Sequence, residues 1–266
     1  MKAAAIQMNS SDQVDSNLFK AESLLTQAKD AGADVCFLPE NFAFMGHPNE
    51  LLNSVMEEEA GPIQTRISNI AKEQKIWIIA GSIPVKDVKT SKAFSRSITF
   101  NDEGRVIGFY DKVHLFDVEV NHKKYHESKS FIAGTEAKTV STPWLKIGLS
   151  ICYDLRFPEL FRSKQFKDVE VISVPSAFTK ETGAAHWMTL LQSRAIENLA
   201  YVVAPNQWGK HFGSRETFGH SVIIDPWGEV VAEQTEPITQ LVLADIDLEL
   251  VRDKRRRFPV LTHRRL

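Results

Sequence analysis

Leu145-Lys-Ile-Gly-Leu-Ser-Ile-Cys-Tyr-Asp-Leu-Arg-Phe-Pro-Glu159 is an apolar run that stops at Cys152 and gives way to a helix-start signature, with Pro158 suited to a first turn. A strand that hands over to a helix is the unit of an α/β fold. Such a corner pushes one side chain out of the sheet and turns backbone N–H groups toward whatever that side chain attacks. Cys152 stands at the corner. It reads either as a nucleophile or as one more small buried apolar residue.

Working outward, the same alternation recurs on both sides of this corner. Ala3–Met8 reads as a strand, and Ser16–Ala31 as a helix with Leu18, Ala21, Leu24, Leu25 and Ala28 on one face and Gly32 as its stop. Asp34–Pro39 is a short buried strand, Ile63–Gln74 a helix, and Ile76–Ile83 a strand apolar on both faces. Phe94–Phe100 and Val106–Tyr110 flank a turn-rich connection and read as a hairpin. After Cys152 come a helix over Pro158–Phe166, a strand over Val169–Pro175, a helix over Ala184–Leu199 and a strand over Tyr201–Pro205. A second hairpin, Gly219–Ile224 with Glu229–Ala232, a strand over Leu241–Ile246 and a helix over Leu248–Arg256 complete the chain. The two halves share one rhythm. That predicts an α/β fold of two packed sheets with helices outside, a four-layer α-β-β-α sandwich, with an open doubly wound sheet as the alternative.

Composition bounds the function. The chain has 266 residues, 43% of them hydrophobic and 25% charged, with a formal net charge of -2. This is an ordinary soluble composition, and it points to neither nucleic acid nor an anionic membrane. The basic stretch Arg252-Asp-Lys-Arg-Arg-Arg257 lacks the aromatic interleaving of a nucleic-acid surface. No segment has the roughly 18 apolar residues a membrane span needs. Two cysteines, Cys36 and Cys152, make no disulfide framework. With no signal-peptide pattern at the N-terminus, a cytoplasmic location is expected.

Three strand-like runs end in chemically capable side chains: Glu40 after Phe37-Leu-Pro, Lys112 after Tyr110-Asp, and Cys152. If these ends meet, each residue has a task. A thiol with a free pKa near ~8.5 is mostly protonated at neutral pH, so Glu40 would take its proton and later return one to the leaving group. Lys112 and the Tyr153 N–H would face the oxyanion formed on attack at a carbonyl. Each residue also has a plain reading: Glu40 as a helix-start carboxylate, Lys112 as a solvated charge beside Asp111. A serine hydrolase is disfavoured, because Gly148-Leu-Ser-Ile-Cys152 lacks the second glycine of the elbow. A zinc site on His122 and His126 is disfavoured, because that segment reads as a loop. A redox or interaction protein is the non-enzyme alternative.

The chain resembles the nitrilase superfamily of carbon–nitrogen hydrolases from Ala3 to about Asp247. Three motifs carry the likeness: Leu38-Pro-Glu-Asn41, Tyr110-Asp-Lys-Val-His-Leu-Phe-Asp117 and Gly148-Leu-Ser-Ile-Cys-Tyr-Asp-Leu-Arg-Phe-Pro-Glu159. The resemblance implies a Glu40–Lys112–Cys152 triad, a further glutamate at Glu127, the sandwich fold, and a homodimer or larger homo-oligomer. A catalytic domain over residues 1–247 is then followed by a C-terminal helix and tail, 248–266, at an oligomer contact. No cofactor and no metal are implied, and the partner is a small-molecule amide. Phe116-Asp-Val-Glu119, Pro175-Ser-Ala-Phe-Thr179 and Gly183-Ala-Ala-His-Trp187 resemble the branch acting on ω-amides of 2-oxo acids. Its first expected activity is deaminated glutathione amidase. The alternatives are ω-amidase on 2-oxoglutaramate or 2-oxosuccinamate, N-carbamoyl amidohydrolase and nitrilase. Arg156 is expected to grip a substrate carboxylate or to pair with Glu159, and Phe178, Thr179 and His186 to line the pocket. For a longer, glutathione-like substrate Lys210, His211 and Arg215 would add positive charge at its mouth, the alternative being a plain solvated loop.

Overall fold

The computed structural model of the protein describes residues 1–47, 50–51, 55–120 and 122–265. The first sheet is built from β1 (Lys2–Gln7), β2 (Val35–Leu38), β3 (Trp77–Lys86), β4 (Ala93–Phe100), β5 (Val106–Asp111) and β16 (Gln240–Asp245), in the order β16-β1-β2-β3-β4-β5. The second holds β8 (Lys138–Ser141), β9 (Lys146–Leu149), β10 (Val171–Ser173), β11 (Tyr201–Ala204), β14 (Val222–Ile224) and β15 (Val230–Glu233), in the order β15-β14-β11-β10-β9-β8. At the centre of each sheet lie three parallel strands, β1-β2-β3 and β9-β10-β11. Antiparallel strands complete both sides.

The two-residue period of a strand sorts the core. Val35 and Phe37 of β2 face inward with Ile147 and Leu149 of the other sheet. Cys36 and Leu38 face outward, against Leu18, Leu25 and Ala28 of α1 (Val14–Asp30) and Ile63 and Ile67 of α2 (Pro62–Gln74). Burial alone drives the Cys36 thiol upward against the weaker pull of Lys29, and this places it as an apolar core residue. The opposite outer layer is α4 (Lys180–Asn198), which buries Trp187, Leu191 and Ala195. The architecture is the four-layer sandwich, and the open doubly wound alternative falls away.

Two expectations need correction. The helix over Pro158–Phe166 is only the single turn α3 (Pro158–Phe161), followed by a 3-10 turn at Lys164–Phe166. At about 100° per residue, a continuous helix would point Phe161 and Phe166 well apart. Breaking it lets both bury, with their rings edge-on at 5.7 Å. The segment around His122 and His126 is not a loop but a hairpin, β6 (Asp117–Val120) with β7 (Lys123–His126). A second unforeseen hairpin pairs β12 (Trp208–Lys210) with β13 (Glu216–Phe218). Both hairpins stand at the same end of the sandwich. The last helix, α5 (Leu248–Arg257), is stapled to the body by Val251 and by Arg255, which donates to the carbonyls of Val169, Asn198 and Leu199. Among the described residues no helix is long and apolar enough to cross a membrane.

Candidate active site

In sheets with parallel strands, side chains after the carboxyl ends of the strands converge on a crevice. Here Cys152 follows β9, Glu40 follows β2 and Ala177–Thr179 follow β10, while Lys112 follows the antiparallel β5. All of them line one cavity of about 350 Å³. That volume lies at the small-molecule end of ligand sites.

The corner at Cys152 is sharper than a plain strand-to-helix turn. Cys152 has φ of 48°, a left-handed backbone that costs a side-chain-bearing residue, and a 3-10 turn, Cys152–Arg156, begins with it. Its N–H donates to Pro175 O at 2.9 Å, which pins the strained backbone to the loop after β10. Cys152 is 8% exposed and lines the cavity.

Glu40 and Lys112 are each 2% exposed. Lys112 Nζ donates to Glu40 Oε1 at 2.8 Å and to both oxygens of Glu127, at 3.0 and 2.9 Å. The two Glu127 oxygens subtend too small an angle at Nζ to take separate protons of the tetrahedral ammonium, so they share one, and the third Lys112 proton is not committed to either glutamate. Glu40 spends its second oxygen on the Ala177 N–H at 2.8 Å. Glu127 opens a 3-10 turn directly after β7, and its Oε2 accepts the Phe116 N–H at 2.6 Å. Two carboxylates therefore grip one ammonium in a site almost closed to water.

Electrostatics follow from this arrangement. Burial works against the Glu40 carboxylate, but Lys112 outweighs it, and Glu40 stays below the usual carboxylate range. Burial also works against the Lys112 charge, yet Glu127 and Glu40 together drive its pKa up and keep it protonated. Burial and the neighbouring Glu40 charge push Glu127 up despite Lys112. Cys152 is pushed well up, first by burial and then by Glu40, with Lys112 opposing. The resting sulfur is a thiol with a hydrogen-bonded carboxylate beside it.

Sequence reasoning missed Asp154. This fully buried carboxylate accepts from Tyr110 Oη at 2.8 Å and from the Ile151 N–H at 2.9 Å. Its other oxygen meets the His114 N–H at 3.0 Å and His114 Nδ1 at 2.7 Å. It ties the Lys112 segment to the Cys152 corner. Its only signal in the chain is its place two residues after Cys152. The hairpin β6–β7 was also missed, although Val118 and Val120 alternate with charges at strand period.

Phe178 and Thr179 line the cavity, as does Tyr153. Arg156 and His186 are not among the cavity-lining residues. They meet each other instead, Arg156 Nη1 to His186 Nδ1 at 3.2 Å, with the guanidinium 5.1 Å from the Phe178 ring centre. On a 3-10 segment with three residues per turn, four residues carry Arg156 about 120° round from Cys152. Of the three residues expected at the mouth, Arg215 reaches the cavity lining. His211 anchors its loop, through Nδ1 to Ser10 O at 2.8 Å and Nε2 to Thr217 Oγ1 at 2.7 Å. Desolvation takes His211 down to about 4, so it stays neutral at physiological pH and holds both bonds.

Comparison with known proteins agrees with this picture. Residues 2–256 match the carbon-nitrogen hydrolase family. The deaminated glutathione amidase of Synechocystis is 41% identical over 98% of this chain and 97% of its own length. Among solved structures, Saccharomyces cerevisiae Nit3, of branch 10 of the nitrilase superfamily, superposes with a TM-score of 0.89 at 32% identity. The match covers all of this chain and 97% of that one. The C. elegans NitFhit protein superposes with a TM-score of 0.90 at 36% identity over 99% of this chain, which spans 65% of the NitFhit chain.

Proposed function

The chain belongs to the carbon–nitrogen hydrolase family, and we propose on that premise that it is an amidase acting on deaminated glutathione. In that compound a 2-oxoglutaryl group is joined through its far carboxyl to the amine of cysteinylglycine. Hydrolysis of this bond releases 2-oxoglutarate and the dipeptide. One observation carries the reading: a buried ammonium, Lys112, holds Glu40 and Glu127 in the cavity where Cys152 is the sulfur at a strained corner.

In the proposed course Glu40 takes the Cys152 proton as sulfur attacks the amide carbon. The carbonyl π electrons move to oxygen, and the oxyanion faces Lys112 and the Tyr153 N–H. The Lys112 proton that neither glutamate takes is the donor available to the oxyanion, and Glu127 is the acceptor that positions the ammonium for it. Glu40 returns its proton to the departing amine as the C–N bond breaks, leaving a thioester. Glu40 then deprotonates water, which cleaves the thioester and restores the thiol. Phe178 and Thr179 form the wall against which the acyl chain lies.

Two further features belong to this proposal. The protein works as a homodimer or larger homo-oligomer, a reading supported by exposed Ile196, Trp227, Val231 and Phe258 around α4 and α5. On this view the segment 248–266, whose last residue Leu266 lies outside the described residues, reinforces the catalytic domain 1–247 at that contact. A cytoplasmic location is supported by two unpaired cysteines.

The test is a panel of deaminated glutathione, 2-oxoglutaramate and an N-carbamoyl amino acid, following release of dipeptide or ammonia. A preference of tenfold or more for the first, about 1.4 kcal/mol in transition-state binding, supports the assignment. An equal preference for 2-oxoglutaramate makes the enzyme an ω-amidase. Undiminished turnover in Cys152→Ala removes the mechanism.

A further inference from the structure

The cations that line the cavity differ in how they are engaged. Lys112 is paired with two carboxylates, Glu40 and Glu127. Lys123 donates to Ser214 O at 3.1 Å and faces Glu181 at 4.0 Å, and Lys124 faces Glu119 at 3.9 Å. Arg215 is different. Among the described residues no carboxylate pairs with it, and its Nε is buried with no hydrogen-bond partner. Its guanidinium carbon lies 6.0 Å from the Tyr125 ring centre.

The loop that carries Arg215 is held before any ligand arrives. His211 N–H donates to Arg215 O at 3.0 Å and Arg215 N–H to Phe212 O at 3.2 Å. The His211 ring is fixed at both nitrogens, and Lys123 ties Ser214 to the facing hairpin. A buried donor left unpaired on a rigid loop is costly, and a ligand acceptor removes that cost. Arg215 lines the same cavity as Glu40, Lys112 and Cys152.

Resting on the amidase reading, we propose that Arg215 binds the carboxylate at the acyl end of the substrate and so restricts the enzyme to amides whose acyl chain ends in a carboxylate. In a 2-oxoglutaryl group three carbons separate that carboxylate from the carbon under attack. It therefore falls near the centre, whereas the glycine carboxylate of a dipeptide leaving group lies farther out. The flat guanidinium fork donates two parallel bonds to a carboxylate, which fixes direction as well as charge.

The experiment compares kcat/KM for 2-oxoglutaramate and 4-oxopentanamide, which carries a methyl group in place of the carboxylate. It also measures 2-oxoglutarate binding by calorimetry in Cys152→Ala and in Cys152→Ala with Arg215→Gln. Arg215→Gln is expected to lower the acid-to-neutral ratio of kcat/KM about tenfold or more, chiefly through KM, with partial rescue in Arg215→Lys. It is also expected to weaken 2-oxoglutarate binding by about the same factor. Binding that depends on Arg215 in a protein that hydrolyses neither these two amides nor deaminated glutathione would keep this assignment and sink the amidase reading. Absent 2-oxoglutarate binding, or binding undiminished by Arg215→Gln, overturns the assignment whatever the turnover.

Discussion

The Tyr110 hydroxyl donates to Asp154 Oδ2 at 2.8 Å, and this bond joins the strand before Lys112 to the turn that holds Cys152. The two segments lie in different sheets, so the bond sets the spacing between ammonium and sulfur. Asp154 makes it by accepting from four donors while wholly buried.

Asp154→Asn replaces one acceptor oxygen with a donor and leaves at least one buried N–H or O–H unpaired. A stability loss of about 1–3 kcal/mol is expected from urea unfolding, together with lower kcat and little change in KM. Unchanged stability and turnover would show that Asp154 does not position the site.

Glu40→Gln separates two effects that the wild-type residue combines. The negative charge of Glu40 helps to hold the thiol up, so its removal should lower the midpoint of alkylation by iodoacetamide on the pH axis. Turnover should nevertheless fall by about 10²–10⁴, because the proton acceptor is gone. A variant that keeps wild-type turnover would remove Glu40 as the base.

Alkaline pH should destabilise the fold through Lys112. Burial disfavours its charge, but Glu127 and Glu40 hold its folded pKa above the usual 10.5. Its contribution to stability is therefore whole below about 10.5 and drains away as pH rises through the folded value. On the acid side the two glutamates act in opposite senses, Glu40 being shifted down and Glu127 up, which makes the alkaline limb the clearer readout. Urea midpoints measured between pH 9 and 12 should fall with pH, and the slope should flatten in Glu127→Gln. An identical slope in the variant would exclude this coupling.

Gly81→Ala should damage the site from behind. Gly81 lies where the pairing of β3 and β4 shifts register, and a Cβ there would fall 1.9 Å from Pro39 O, in the segment that presents Glu40. Overpacking of this kind costs about 1–3 kcal/mol and displaces the loop, so both the melting temperature and turnover should drop. Wild-type values for both would mean the loop yields freely.

Much of the fold was legible because strand and helix periods are local. Phe37 and Leu38 point to opposite faces in any strand, and the spacing of Leu18, Ala21 and Leu25 requires a buried helix face. Short hairpins were less legible. In β6–β7 charged side chains dominate, and its pairing is set by neighbours rather than by its own apolar pattern. The Pro158–Phe166 helix failed for a related reason: Phe161 and Phe166 are drawn into one core from directions a single helix does not offer.

The sequence by itself determined which chemistry was within reach: a thiol, a carboxylate and an ammonium, each at the end of a recognisable run, with a second carboxylate, Glu127, implied by resemblance. Residue types and local periodicity are properties of the chain alone. Only the tertiary structure decided that Lys112 is held between Glu40 and Glu127, that Arg156 meets His186 while Arg215 lines the cavity, and that Asp154 couples the two sheets. Charge pairing and desolvation depend on distances between groups remote in sequence, and those distances exist only once the two sheets have closed on each other.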